Sequence, residues 1–204
     1  MSEHKHKPLE LSIPDGGTFN YGHPGGEALT RRLLELCALP AGSDVLDFGC
    51  GAGETLLLMR DEYGFNVTGT DADRAAVNAA KLRDSALNVV HLVNNVVDFP
   101  SLSFDAVVAE CSLSVVGMRA EYLHEIYCVL RRGGKLAISD VFARGEEDII
   151  QNELERSGFR LLVWEYHTQA LRDYAAQLLM DGRKVDCERY GKDTGYYLAV
   201  AAKS

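Results

Sequence analysis

The sequence predicts an α/β protein built on a doubly wound sheet, and three observations carry that reading. From residue 24 onward, apolar runs of strand length alternate with amphipathic segments of helix length. The first apolar run, Val45–Phe48, leads directly into glycines at 49, 51 and 53 and then into a helical pattern. The chain has 204 residues, 47% of them hydrophobic, enough for one ordinary domain with a sizeable core, whereas two would be a squeeze.

Residues 1–23 are polar and rich in Gly, Pro and His, so they are read as an irregular N-terminal arm, with residues 24–204 forming a single domain. Pro24 suits a first helical position, and Leu29, Leu33, Leu36 and Cys37 recur at helical spacing until PAGS at 40–43. After Val45–Phe48 come a helix over about Glu54–Tyr63, strand Val67–Thr70 ending on Asp71, and a helix over about Asp73–Ser85. Strands Val89–Val93 and Phe104–Ala109 follow, the second nearly all apolar, as a strand covered on both faces must be. Helix Arg119–Leu130 exits through the turn RRGG into strand Lys135–Val141. A helix from Glu146 stopping at Gly158, strand Phe159–Tyr166, a helix aligning Leu171, Tyr174, Leu178 and Leu179, and strand Tyr196–Ala201 complete seven strands.

Composition excludes several functions. A net charge of −9 argues against a nucleic-acid partner, which needs clustered Lys and Arg. No apolar stretch approaches membrane-span length, and MSEHKHKPLE lacks the apolar middle of a secretory signal, so the expected location is the cytoplasm. Five widely spaced cysteines without a C-x-x-C pair suit a reducing compartment and predict no metal site.

In an open α/β sheet the ligand site lies beyond the carboxyl end of the first strand. Here the turn reads Gly49-Cys50-Gly51-Ala52-Gly53-Glu54. Glycines admit positive φ and let backbone approach a ligand, although such a turn also exists without one. The dinucleotide fingerprint G-x-G-x-x-G requires glycine where Glu54 stands, and an acid there opposes a pyrophosphate. Asp71, about twenty residues on, ends the second strand where a carboxylate accepts from both ribose hydroxyls. A capping role is its alternative, one that Asp73 serves equally well. The combination points to a nucleoside without pyrophosphate.

Four segments, VLDFGCGAGET, GTDAD, FDAVVAECSLS and LRRGGKLAISD, resemble the successive motifs of class I S-adenosylmethionine-dependent methyltransferases, in their type 11, ubiquinone-biosynthesis-like, small-molecule branch. The resemblance covers roughly residues 24–166 and the final strand. It implies a Rossmann-like seven-stranded sheet, mostly parallel with an antiparallel last strand, and S-adenosylmethionine as cofactor. It further implies that Gly49, Gly51 and Gly53 pack against the methionine part, that Asp47 helps hold its amino group, and that Asp71 grips the ribose. Cys50, Ala72, Asn95, Val96 and Glu110 complete the implied cofactor set. Asn95 falls where the family often has an acid for the adenine amine. Its amide oxygen still accepts, and Asp98 is either a compensating residue or a loop acid.

Glu110, in Glu110-Cys111-Ser112-Leu113, falls where methyl acceptors meet the cofactor in this family. It is read either as orienting or deprotonating the acceptor or as a strand-end carboxylate facing solvent or capping a turn. The missing N/D-P-P-Y pattern argues against the adenine-amine and glutamine-amide branches. Cys111 alone cannot make the three-thiolate site of the arsenite methyltransferases, and a small buried apolar role is its alternative. Tyr21 and His23 suggest an aromatic lid with a base, against an unfolded arm. His167 to Thr194 separate the last two strands, which in relatives form a close hairpin, while Phe142–Glu146 is too short for a substrate-binding insertion. The expected reaction is in-line methyl transfer to a small molecule, releasing S-adenosylhomocysteine, in a monomer or homodimer with no membrane partner. A non-catalytic cofactor-binding module and a nicotinamide-dependent oxidoreductase are the rivals.

Overall fold

A computed structural model describes residues 21–92, 99–116, 120–185 and 187–204. The chain runs α1 (Gly26–Cys37), β1 (Asp44–Phe48), α2 (Glu54–Asp61), β2 (Asn66–Asp71), α3 (Arg74–Arg83), β3 (Val89–His91), β4 (Phe104–Glu110) and α4 (Leu113–Val116). It continues with α5 (Ala120–Val129), β5 (Leu130–Ala143), α6 (Glu147–Arg156), β6 (Phe159–Tyr166), α7 (Thr168–Met180), α8 (Cys187–Tyr190) and β7 (Thr194–Lys203). The seven strands form one sheet in the order β3-β2-β1-β4-β5-β7-β6. β7 is antiparallel to both of its neighbours, whereas β1 to β5 pair in parallel. The order reverses between β1 and β4, which makes their carboxyl ends the switch point.

The two faces of the sheet are sorted by alternation along the strands. Val45, Ala106, Val108, Leu198 and Val200 join the core beneath α1, α2, α3 and α7. Leu46, Val107, Ala109, Ala199 and Ala201 point the other way, into the core under α4, α5 and α6. Both cores are apolar, which is why the central strands carry hydrophobic residues at nearly every position.

Several boundaries differ from the sequence reading. α1 begins at Gly26, not Pro24, because Gly25 sits at φ +76 and the preceding residues form a turn. α1 also ends earlier, where Ala38 adopts φ 46 and its amide bonds back to Leu34 and Glu35 carbonyls. RRGG does not end an element: Phe104 pairs with Leu130 and Ala106 with Lys135, so residues 131–134 bulge out within β5. On α7, Leu171 and Leu178 are buried, but Leu179 is 62% exposed. The eighth residue after Leu171 lies about 80° around the helix, off the stripe that the seventh prolongs. The readings placed on residues 1–20, on Asn95, Val96 and Asp98, on the end of the Val89–Val93 strand and on the Arg119 start of the helix before RRGG lie outside the described residues.

Glycine at 69 matters to the switch point. A Cβ there would stand 2.5 Å from Leu56 Cδ1 and 2.8 Å from Cys50 Sγ, so β2 closes on the glycine turn only without a side chain. Gly69→Ala should therefore destabilise the fold by about 1–3 kcal/mol through overpacking. Chemical unfolding of parent and variant checks this; equal midpoints would mean that α2 moves aside freely.

Candidate functional site: a glycine turn ringed by carboxylates

Beyond Phe48 the backbone takes positive φ at Gly49 (84°), Gly51 (54°) and Gly53 (86°) before α2 begins. The amides of Gly49 and Cys50 both donate to Thr70 O, at 2.8 and 2.9 Å, which ties the turn to the end of β2. The three glycines then differ. A Cβ at Gly49 would strike Ser112 Cβ at 2.6 Å, and one at Gly53 would press on Leu87 and Ala80 at 3.1 and 3.2 Å. At Gly51 no atom of the described residues lies within 4 Å of that position, so among them this glycine alone of the three has space in front of it.

Asp71 supports the same turn. Its Oδ2 accepts from the Gly51 amide at 2.9 Å and its Oδ1 from the Asp73 amide at 2.8 Å. The helix-capping role falls to Asp73, whose Oδ1 accepts from the Ala75 amide at 2.8 Å. Glu54, in the first turn of α2, is drawn sideways into an ion pair with Arg83 at 2.6 Å. Ala72 is exposed, and its carbonyl meets His91 Nε2 at 3.1 Å.

Behind the turn, on the face covered by α1 and α2, stands a buried acid. Asp47 is 2% exposed, and its Oδ2 has no hydrogen-bond partner among the described residues. Burial chiefly, and then the neighbouring charges of Glu110, Asp71 and Glu54, push its carboxyl well above the usual range. An orphaned acceptor among like charges is the arrangement that a cationic ligand group relieves.

Glu110 is neither solvent-facing nor a cap. Its side chain is 6% exposed, Oε1 accepts from Thr30 Oγ1 at 2.9 Å, and Oε2 accepts from Thr55 Oγ1 at 2.8 Å. Ser139 Oγ lies 3.5 Å from Oε1 and accepts from Tyr196 Oη at 3.0 Å. The arm joins the same group: His23 Nε2 stands 3.5 Å from Glu110 Oε1, and the Tyr21 ring meets the His23 ring edge-on at 5.9 Å. Burial pushes the Tyr21 phenol up to about 12. Tyr174 Oη donates to Gly22 O at 3.0 Å, so α7 grips the arm root as well.

Cys111 adopts φ 52, and burial pushes its thiol up to about 12, leaving it protonated and a poor metal ligand or nucleophile. Above it, Arg189 of α8 donates to Cys111 O and Ser114 Oγ, both at 3.3 Å, so the late segment reaches over the loop after β4. Asp140, 1% exposed, accepts from the Ser114 amide at 2.8 Å. Sequence reasoning missed Thr30, Thr55 and Ser139. Thr30 carries a signal, since it interrupts the buried stripe Thr30, Leu33, Leu34, Cys37 with a hydroxyl.

Sheet order, glycine turn and terminal acid together define a class I S-adenosylmethionine-dependent methyltransferase domain. Residues 46–138 match the family described as "Methyltransferase domain", which supports that class for this chain. It is 31% identical over 141 residues to Methyltransferase GfsG of Streptomyces halstedii, covering 66% of this chain and 51% of that protein. It is 30% identical over 165 residues to 2-methyl-6-phytyl-1,4-hydroquinone methyltransferase of Synechocystis sp., covering 72% and 52%. A third relative, ribosomal protein L11 methyltransferase of Burkholderia thailandensis, is 32% identical over 142 residues, covering 69% and 46%. The chain thus spans about half the length of the curated relatives it matches. Among solved structures, Haemonchus contortus phosphoethanolamine N-methyltransferase 2 with S-adenosyl-L-methionine superposes with a TM-score of 0.76 at 18% identity, over 90% of this chain and 54% of that one. The [4+2]-cyclase SpnF superposes at 0.73 and 23% identity, over 86% and 79%. Both likenesses show the fold.

The raised carboxyl of Asp47 has a signed consequence. Stability linked to it is complete below the ordinary carboxylate pKa and falls as pH rises toward the elevated folded value. Asp47→Asn should remove that decline, so the stability difference, variant minus parent, grows as pH rises from acid toward neutral. Urea unfolding of both proteins across that range measures it; a constant difference would show that Asp47 titrates normally.

Proposed function

We propose that this chain binds S-adenosylmethionine across the carboxyl ends of β1 and β2 and transfers its methyl group to a small molecule. One observation carries the reading: the buried Oδ2 of Asp47, without a hydrogen-bond partner among the described residues, lies beneath the same turn in which Gly51 meets none of them within 4 Å. When bound, the cofactor supplies a methyl group already activated on a positively charged sulfur. Asp47 accepts from its amino group, the backbone of Gly49, Cys50, Gly51 and Gly53 lies along its methionine part, and Asp71 keeps lone pairs for the ribose while bracing the turn. Ala72, Asn95 and Val96 are assigned to the nucleoside end. Glu110, Tyr21 and His23 line the acceptor side, where they align the acceptor and exclude water.

A small acceptor fits the short connection between β5 and α6, the acidic net charge, and an α8 that lies across the loop after β4. A protein acceptor is the second reading, favoured by the match to ribosomal protein L11 methyltransferase. The cyclase among the structural neighbours keeps a third in view, a cofactor-binding domain with other chemistry. A nicotinamide enzyme is disfavoured by Glu54, held at the turn by Arg83. Among the described residues no helix is long and apolar enough to cross a membrane.

Calorimetry should show S-adenosylhomocysteine binding, with NAD far weaker. Gly51→Asn tests the turn, because asparagine tolerates positive φ while its side chain enters the open space. A loss of affinity of at least about tenfold, ~1.4 kcal/mol, is expected with the fold retained. Full affinity in the variant, or tighter binding of NAD, would reject the reading. Release of S-adenosylhomocysteine in a screen of small acceptors against a ribosomal-protein fraction then separates the two acceptor classes.

A further inference from the structure

The loop that follows β4 is covered by a cation. Arg189 of α8 is half-buried, and its Nη2 donates to Cys111 O and to Ser114 Oγ, both at 3.3 Å. These two bonds aim the guanidinium through neutral oxygens, beginning one residue beyond Glu110. The segment that carries it is clamped in turn. Arg172 of α7 donates through Nη1 to the carbonyls of Tyr190 and Gly191, at 3.1 and 2.5 Å, and through Nη2 to those of Lys192 and Thr194, at 3.2 and 2.7 Å. The Arg189 guanidinium carbon lies 6.0 Å from the centre of the Tyr190 ring, which stands 5.9 Å from that of Tyr174. Because Tyr174 Oη donates to Gly22 O, this cover runs on into the arm root.

Charge makes the placement informative. Asp47, Glu110, Asp71 and Glu54 act on one another as like charges around the glycine turn, so the floor of the site repels an anion. Arg189 supplies the opposite sign at its rim, and Arg183 adds a second positive charge near Tyr174. Asp140 of β5 acts on Arg189 through its charge, but both of its oxygens already accept from backbone amides, those of Ser114 and Val141. The planar fork of a guanidinium matches a carboxylate or a phosphate, which a neutral or cationic acceptor would not use. Beside it, Ser112 keeps a buried hydroxyl with no hydrogen-bond partner among the described residues, 3.4 Å from where a Cβ on Gly49 would stand.

We propose that Arg189 is a specificity-determining residue that selects a methyl acceptor bearing a carboxylate or a phosphate, with the Ser112 hydroxyl as a second donor to that acceptor, an inference that rests on the functional reading above and narrows it. Arg172 is then a positioning residue, holding the turn after α8 so that the guanidinium keeps its aim. The same cation opposes a protein amine as acceptor, because the side chain that receives an anion repels a lysine.

Small probes on the protein loaded with S-adenosylhomocysteine test this, with benzoate and phenyl phosphate as anions and benzamide and benzylamine as neutral and cationic counterparts. At least one anion should bind about tenfold more tightly than both counterparts, ~1.4 kcal/mol, and the tighter of the two names the group. Nitrogen-15 NMR should show the Arg189 Nε resonance shifting as that anion is added, a readout that needs no variant. Arg189→Gln should abolish the preference while S-adenosylhomocysteine affinity stays within about twofold, and Arg189→Lys, which keeps the charge without the fork, should keep part of it. In turnover, the parent should prefer an acid to its own amide, and Arg189→Gln should raise KM for the acid more than it lowers kcat. Equal binding of all four probes, an unmoved Arg189 resonance, or an undiminished preference in Arg189→Gln would each overturn the proposal. So would a Gln variant with an unchanged unfolding midpoint that has lost S-adenosylhomocysteine affinity, since the arginine would then serve the cofactor's own carboxylate. Absent S-adenosylhomocysteine binding in the parent would reject the functional reading and this proposal with it, whereas binding without a preference for anions would remove this proposal alone.

Discussion

The site hangs on one carbonyl. Thr70 O, at the end of β2, accepts from two successive amides, Gly49 and Cys50, and thereby fixes where the chain leaves β1. Two donors on one acceptor require the backbone to curl tightly, which is why positive φ follows at Gly49 and Gly51. Everything else is arranged around that knot. Gly69 has no side chain so that β2 approaches it, Ser112 fills the space beside Gly49, and Asp71 returns from β2 to hold the Gly51 amide.

Charge around the knot is spent in two ways. Glu54 and Asp71 satisfy themselves locally, one with Arg83 and one with backbone amides, and both remain partly in water. Asp47 and Glu110 are buried on the same face of the sheet, and only Glu110 has its oxygens filled by protein hydroxyls. The ligand-free fold therefore keeps an unfavourable electrostatic feature at Asp47 and surrounds it with hydrogen-bonded supports. That is the usual economy of a binding site, in which local destabilisation is held in place by the rest of the structure.

Most of the architecture was legible because its signals are local. Seven strands follow from apolar runs, and the glycine turn follows from three residues at alternate positions. Asp71 was legible by distance from the turn, although the sequence left open whether it or Asp73 capped the helix. What escaped was non-local. Glu110 meets Thr30 and Thr55 across 80 and 55 residues of chain, and no pattern along the sequence announces such a meeting. The bulge of residues 131–134 and the early start of a strand at Leu130 escaped for a different reason: Arg-Arg-Gly-Gly reads equally as a turn between elements or a bulge within one. Leu179 escaped because one residue's shift on a helix moves a side chain out of the stripe.

The position of β7 bears on how the protein is made. It lies between β5 and β6 in space but follows both in the chain. During synthesis β5 and β6 therefore emerge with no partner for the edges they will later share, and Leu161, Trp164 and Phe142 have no Tyr197 or Ala201 to meet. Unpaired strand edges are templates for other chains. The sheet closes only when β7, with eight of its ten residues buried, slides in between them, so both edges stay open until the strand Thr194–Lys203 has been made.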